Sequence, residues 1–186
     1  VTGLASALIL LFAWLHRHSL HLGSRVQNLL TGFNVALILI FVGAGLFWGR
    51  GNWDHLGSLP PANLLLSDRF AASLILIAYA YLGWNGAAYL GGEISNPHRN
   101  IPLALISGTL LVTGLYLLLN LTYVFALAPE EMAGVLAVGE KAAAALFGPQ
   151  VRRFFAKAIA LGLLSLISVM ILTGPRVYLA MARDGL

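Results

Sequence analysis

Apolar residues along this chain do not alternate with polar ones; they run. Five such stretches stand out, at 1–15, 29–48, 70–92 and 103–127, and from Phe154 to Leu172, the last read as a span to Pro175. A helix that crosses a bilayer needs about 20 mostly apolar residues, and the last four runs come to that length. The first is shorter and reads as cut at its start. Lys157, near one end of the last run, can lay its stem along apolar surface and keep its ammonium in water. In hydrocarbon every backbone polar group must be satisfied internally, so runs of this length predict helices. The expected class is an all-α, polytopic membrane protein with about five transmembrane helices, forming a single region over 1–186.

The connections differ in character. "HRHSLHLGSRVQ" is short and basic. "GRGNWDHLGSLPPANLLLSDR" is long and carries the pair Pro60 and Pro61. "EISNPHRNIP" is short, and Pro97 and Pro102 are expected to break any helix through it. The fourth connection, 128–153, is the longest. Pro129 followed by Glu130 and Glu131 suits a helix start, and "EEMAGVLAVGEKAAAALFG" predicts a small helical cap lying on one face.

Composition sharpens this picture. The chain is 59% hydrophobic and 10% charged, against about 25% charged in soluble domains. Its formal charge of +4 does not point to nucleic acid, because the basic residues flank apolar runs instead of forming a stripe. There is no cysteine, which excludes disulfides, zinc–thiolate sites and thiol catalysis. With neither an initiator Met nor a charged leader at Val1, the chain reads as a segment of a longer protein. Charge does not orient it. One side would hold Arg17, Arg25, Arg99, Arg176 and Arg183, the other Arg50, Arg69, Lys141, Arg152, Arg153 and Lys157, and neither clearly exceeds the other.

Catalytic signatures are missing: neither HExxH nor GxSxG occurs, and "GAGLFWG" at 43–49 lacks dinucleotide-loop spacing. An intramembrane enzyme would need a nucleophile–base pair that the chain does not show. Small residues inside a span more often permit close helix packing. "NLT" at Asn120 matches a glycosylation sequon but falls within a span.

The informative stretch is "AYAYLGWNGAAYLGGE", 78–93. It sets Gly83, Gly86, Gly91, Gly92 and the amide of Asn85 inside an apolar run. Glycine weakens a helix interior by about 1 kcal/mol relative to alanine, and a broken membrane helix persists only where protein or a water-filled cavity takes up the freed polar groups. Transporters use such breaks near the midplane to hold substrates and ions. Tyr79, Tyr81, Trp84 and Asn85 would then wall the gap at Gly83. The competing reading is that the glycines serve packing and the aromatics fill space.

Beyond this point the sequence resembles a known family. "YAYLGWNGAAYLGGEISNPHRNIPLALISGTLLVTGLYLLLN", together with "SRVQNLLT" at 24–31 and "LTGPRVYLAMARDGL" at 172–186, is similar to the amino acid–polyamine–organocation permeases, near their L-type and bacterial amino acid transporter branches. The likeness recurs in order at three places and covers almost the whole chain. It implies a LeuT-type fold of about twelve helices in two inverted repeats of about five, of which this segment would hold helices four to eight. The first and third connections would face the cytoplasm, and the helices sharing the substrate site would lie outside the segment.

What the resemblance implies can be placed residue by residue. Tyr79 would lie as an aromatic lid over substrate, and the carbonyls of Tyr79, Ala80, Leu82 and Gly83 would accept from its ammonium. Trp84 and Asn85 would line the side-chain pocket. Glu93, with Asn96, Pro97, Arg99 and Asn100, would form the cytoplasmic turn, with Glu93 pairing an arginine such as Arg183 in an inner gate. The alternative is a structural turn with a solvated charge. Many relatives carry a lysine a few residues after the "RVQ" motif, where this chain has Asn34. An amide cannot supply that charge, so either sodium enters, helped by Ser165 and Ser168, or another group provides it. No Asp or Glu lies deep in a span, which argues against a proton relay in this portion, although sodium and proton coupling both stay open for the whole. No other cofactor is implied.

The function expected is secondary transport of an amino acid by alternating access, in a multi-pass protein of the plasma membrane whose partners are a small-molecule substrate and the lipid bilayer. A neutral or moderately large substrate is expected, since no acidic residue is present to pair a cationic side chain. The alternatives are an amine or polyamine transporter, or a scaffold or receptor subunit that keeps the fold without transporting.

Overall fold

The computed structural model of the protein describes residues 2–18, 20–57, 67–183 and 185. Among them there is no strand. The helices are α1 (Thr2–His18), α2 (Leu20–Trp48), α3 (Asp68–Ala80), α4 (Gly86–Tyr89), α5 (Pro97–Ala126), α6 (Pro129–Met132), α7 (Val138–Phe147) and α8 (Pro149–Arg183), with short 3-10 turns at Trp53–Leu56 and Gly91–Glu93. Among the described residues, three helices are long and apolar enough to cross a membrane: His21–Trp48 of α2, all of α5 and all of α8. The chain is thus an all-α, polytopic membrane segment.

Several boundaries differ from the sequence expectation. The first connection is largely helical: α1 runs to His18 and α2 starts at Leu20. It is polar but holds neither proline nor a glycine cluster, so nothing in it stops a helix. In the third connection the helix is interrupted over 94–96 and α5 begins at Pro97, but Pro102, also expected to break it, lies inside α5. Pro97 sits in the first turn, where its missing N–H has no intrahelical partner to lose. Pro102 forfeits one bond, near an exposed helix end where water can replace it. Val1, Pro60 and Pro61 lie outside the described residues.

α3 starts where Ser67 accepts a hydrogen bond from the Phe70 N–H at 3.2 Å, with Asp68 in the first turn; both features favour a helix N-terminus. Its residues from 71 to 80 are all exposed.

The tightest packing lies at one end of the bundle. Phe41, Phe125, Ala126, Leu127, Ala142, Ala143 and Leu146 form a buried cluster joining α2, α5 and α7. The expected cap is therefore present as α6 and α7, and Ala142, Ala143 and Leu146 are the face it buries. Gly45 and Gly49 of "GAGLFWG" serve this contact. A Cβ at Gly45 would sit 2.9 Å from Thr122 Cγ2 and 3.1 Å from Leu146 Cδ1. The start of the second connection is pinned to the same cluster: Arg50 N–H donates to the Leu146 carbonyl at 3.0 Å and Asn52 N–H to that of Phe125 at 2.8 Å.

Candidate functional site

The third apolar run is not one helix. Its four-residue ladder ends with α3. Tyr81 N–H then reaches the Ala78 carbonyl at 3.2 Å, Leu82 N–H that of Tyr79 at 3.2 Å, and Gly86 N–H that of Gly83 at 3.0 Å, each a three-residue turn. Gly83 has φ +104°, a region that side-chain-bearing residues rarely adopt. Among the described residues, the carbonyls of Tyr81, Leu82 and Trp84 accept no hydrogen bond. An α-helix resumes for four residues as α4 and passes into the turn at Gly91–Glu93.

The sequence-expected residues surround this gap unevenly. Tyr79, Leu82 and Trp84 are exposed. Of the four expected carbonyls, those of Tyr79 and Gly83 accept from the turn N–H groups, Ala80's accepts from the Tyr116 hydroxyl at 3.1 Å, and Leu82's is free. Tyr81 turns toward α5: its hydroxyl donates to Thr113 Oγ1 at 3.2 Å, and its ring meets that of Tyr116 edge-on at a centroid distance of 5.4 Å. Asn85 donates to the Tyr89 hydroxyl at 2.7 Å. Tyr116 and Thr113 anchor the break, and sequence reasoning missed them. A tyrosine and a threonine spaced one turn apart on one face of an otherwise aliphatic span were the available signal.

Three hollows meet at the break. One of about 380 Å³ lies against α5, lined by Ala80 to Trp84 with Gly108, Val112 and Tyr116. A second, of about 570 Å³, lies between Ile77, Tyr81, Tyr116, Asn120 and Tyr123. The third, of about 520 Å³, lies against α8, lined by Gly83, Asn85, Gly86, Tyr89, Val169, Met170 and Thr173. Among the described residues no carboxylate lines any of them.

Asn34, Ser165 and Ser168 do not converge on one point; each has its own partner along a polar seam. Asn34 Nδ2 donates to the Gly162 carbonyl at 3.1 Å. Gln27 Nε2 donates to Ser165 Oγ at 3.0 Å. His16 Nε2 lies 3.1 Å from Ser168 Oγ. The stripe Gly162–Ser165–Ser168 follows one face of α8, and α2 and α1 meet it with two amides and an imidazole. A Cβ at Gly162 would overlap Asn34 Oδ1. Gln27 and His16 were not expected here.

Glu93 has a partner, but it is Arg176 and not Arg183. Its two carboxylate oxygens accept from Arg176 Nε and Nη2, each at 2.8 Å. Arg183 lies two helical turns further along α8, roughly 10 Å at the α-helical rise, and is exposed. Arg99 is also exposed, in the first turn of α5. The Arg176 guanidinium bonded to Glu93 holds its carboxyl below the ordinary carboxylate range, outweighing the opposing effect of burial.

Comparison with known proteins now bears on this arrangement. The family model described as amino acid permease matches residues 1–186. The chain is 36% identical over 149 residues to the b(0,+)-type amino acid transporter 1 of Oryctolagus cuniculus, covering 80% of this chain and 30% of that protein. It is 26% identical over 195 residues to the Asc-type amino acid transporter 1 of Homo sapiens, covering 98% of this chain and 35% of that protein. Against the large neutral amino acids transporter small subunit 2 of Rattus norvegicus the identity is 28% over 195 residues, with 98% and 35% covered. The chain therefore spans about a third of the length of these relatives. No solved structure matches it.

Proposed function

The chain belongs to the amino acid permease family, and we propose on that premise that it is part of a multi-pass plasma-membrane transporter that moves an amino acid by alternating access, with substrate bound at the broken helix. The observation that carries this reading is the break between Tyr81 and Gly86. Among the described residues no donor reaches the carbonyls of Tyr81, Leu82 and Trp84, and the end of α3 adds partial negative charge. An ammonium group meets both. In a site screened from water its hydrogen bonds to such oxygens are charge-assisted, hence shorter and stronger than neutral ones.

The hollow against α8 takes the side chain. Its lining of Tyr89, Val169 and Met170 with the amide of Asn85 fits an uncharged side chain, because a cationic one would lie desolvated with no carboxylate to pair it. A scaffold that does not transport would have no use for hollows meeting at an open backbone.

The spread of the seam argues against sodium there. A cation needs several oxygen ligands converging on one point, and Asn34, Gln27 and His16 each meet α8 at a separate position, Gly162, Ser165 and Ser168. Gln27 Oε1 is left buried without a partner among the described residues, one open oxygen rather than a coordination shell. Asn34 and Gln27 bridge α2 and α8 through neutral hydrogen bonds.

The test of the site is Gly83→Leu in the complete permease. A Cβ at position 83 has open space around it, so the substitution acts through the backbone, forcing φ away from +104°. Uptake should fall to background while surface labelling shows normal insertion. Unchanged uptake would remove the break as the binding site.

A further inference from the structure

The main-chain acceptors along the break are held in three different ways. The Tyr79 carbonyl accepts from the Leu82 N–H and that of Gly83 from the Gly86 N–H. Those bonds shape the turns, and losing them would undo the break itself. Among the described residues no donor reaches the carbonyls of Tyr81, Leu82 and Trp84. The Ala80 carbonyl, at the last residue of α3, is held by a side chain: the Tyr116 hydroxyl of α5 donates to it at 3.1 Å.

That hydroxyl bond is one an incoming cation can replace. It joins two neutral groups, whereas an ammonium N–H to a carbonyl is charge-assisted and roughly twice as strong. An ammonium also brings three donors. Tyr81 and Leu82 offer two adjoining open carbonyls, and the carbonyl of Ala80 is the next one back along the chain. It lies at the C-terminal end of α3, where the helix dipole adds partial negative charge. Ala80, Tyr81, Leu82, Trp84 and Tyr116 all line the hollow of about 380 Å³, so the capped position and the open ones share one space.

There is also room for the displaced phenol. Ala80, Tyr81 and Tyr116 line the second hollow too, that of about 570 Å³. Tyr116 thus stands between the two spaces, with its hydroxyl bonded on the side of the broken helix.

We propose that the Tyr116 hydroxyl is a stand-in for the substrate ammonium. In the empty site it satisfies the Ala80 carbonyl. When an ammonium arrives it gives that carbonyl up, and its ring moves toward the second hollow. The exchange loosens one of the ties between α3 and α5, so occupancy of the site is felt in α5. Tyr116 is a positioning residue that competes with the substrate for one acceptor. The stand-in rests on the reading of the break as an amino acid site, and its test separates the two.

The test titrates alanine, leucine and phenylalanine into the complete permease in nanodiscs and measures the heat of binding. Tyr116→Phe removes the hydroxyl and leaves the Ala80 carbonyl open. Whichever amino acid the parent binds should then bind roughly fivefold tighter, the weight of one neutral hydrogen bond. Tyr116→Met serves if Tyr116→Phe does not fold. Thr113→Val cuts the other tie, the one from Tyr81, without opening a main-chain carbonyl, and should not tighten binding. Unchanged or weaker binding in the Tyr116 variant, or equal tightening in Thr113→Val, overturns the stand-in; weaker binding is what a hydroxyl that accepts from the substrate would give. Butylammonium, which carries the cation without the carboxylate, is titrated in parallel. If it gains from Tyr116→Phe while none of the three amino acids binds either form, the amino acid reading fails and the stand-in holds. If nothing binds either form, both fall.

Discussion

At the scale of single residues, what decides this molecule is which partner a polar side chain in an apolar run finds. Asn34 was legible as an anomaly, an amide within an apolar run. Its partner was not legible, because the Gly162 carbonyl lies 128 residues away and a backbone acceptor leaves no mark in sequence. The prediction is a coupled pair. Gly162→Ala drives a methyl into Asn34 Oδ1 and should destabilise by about 1–3 kcal/mol, the range for overpacking. Adding Asn34→Ala should recover most of that loss, read as thermal unfolding midpoints in nanodiscs. Glu93 shows the same limit from the other side. Its charge and turn were evident, but choosing Arg176 over Arg183 required the register of α8. Because the Arg176 hydrogen bond lowers the Glu93 pKa in the folded state, the stability it adds is present above the unfolded value and lost as pH falls through the folded one. The difference in unfolding midpoint between the parent and Glu93→Gln should accordingly stay constant from neutrality down to the ordinary carboxylate range and vanish only below it.

At the scale of elements, the length of an apolar run follows directly from bilayer thickness. Among the described residues, three of the five expected runs overlap helices long and apolar enough to cross a membrane, in α2, α5 and α8, whereas the run at 70–92 is interrupted after α3. Boundaries were less legible. Pro97 marks a helix start, and Pro102, expected to end the helix, lies inside α5, because proline near a helix N-terminus loses little. The basic first connection is mostly helix for want of any residue to stop it. α7 was readable as a cap from its alanines, but its depth was not, since close approach depends on Gly45 and Gly49 of another helix. Leu146, 1% exposed, should therefore carry much of the docking. Leu146→Ala should destabilise by about 2–5 kcal/mol, the range for a buried leucine. Leu117→Ala, at a position 68% exposed, should change the unfolding midpoint little by comparison.

At the scale of the whole molecule, the two ends are built differently. One is a close-packed apolar cluster under α7, and the other is held by the Glu93–Arg176 ion pair. Between them runs the seam of Asn34, Gln27 and His16 against α8, joined by neutral hydrogen bonds, with Gln27 Oε1 and His16 Nδ1 buried and without a partner among the described residues. If that seam needs no cation, the complete permease in liposomes should take up substrate equally well with choline in place of sodium; a drop on replacement would put the ion back. The broken helix links these regions. Its first half is tied to α5 through the Tyr116 hydroxyl and Thr113, its second to α8 through Glu93. Because the four-residue ladder is already interrupted between Tyr81 and Gly86, pivoting one half against the other puts at stake only the turn bonds made by Leu82 and Gly86. The enthalpic barrier to that motion is then small, and its rate is governed by friction with surrounding lipid and side chains rather than by the making and unmaking of secondary structure.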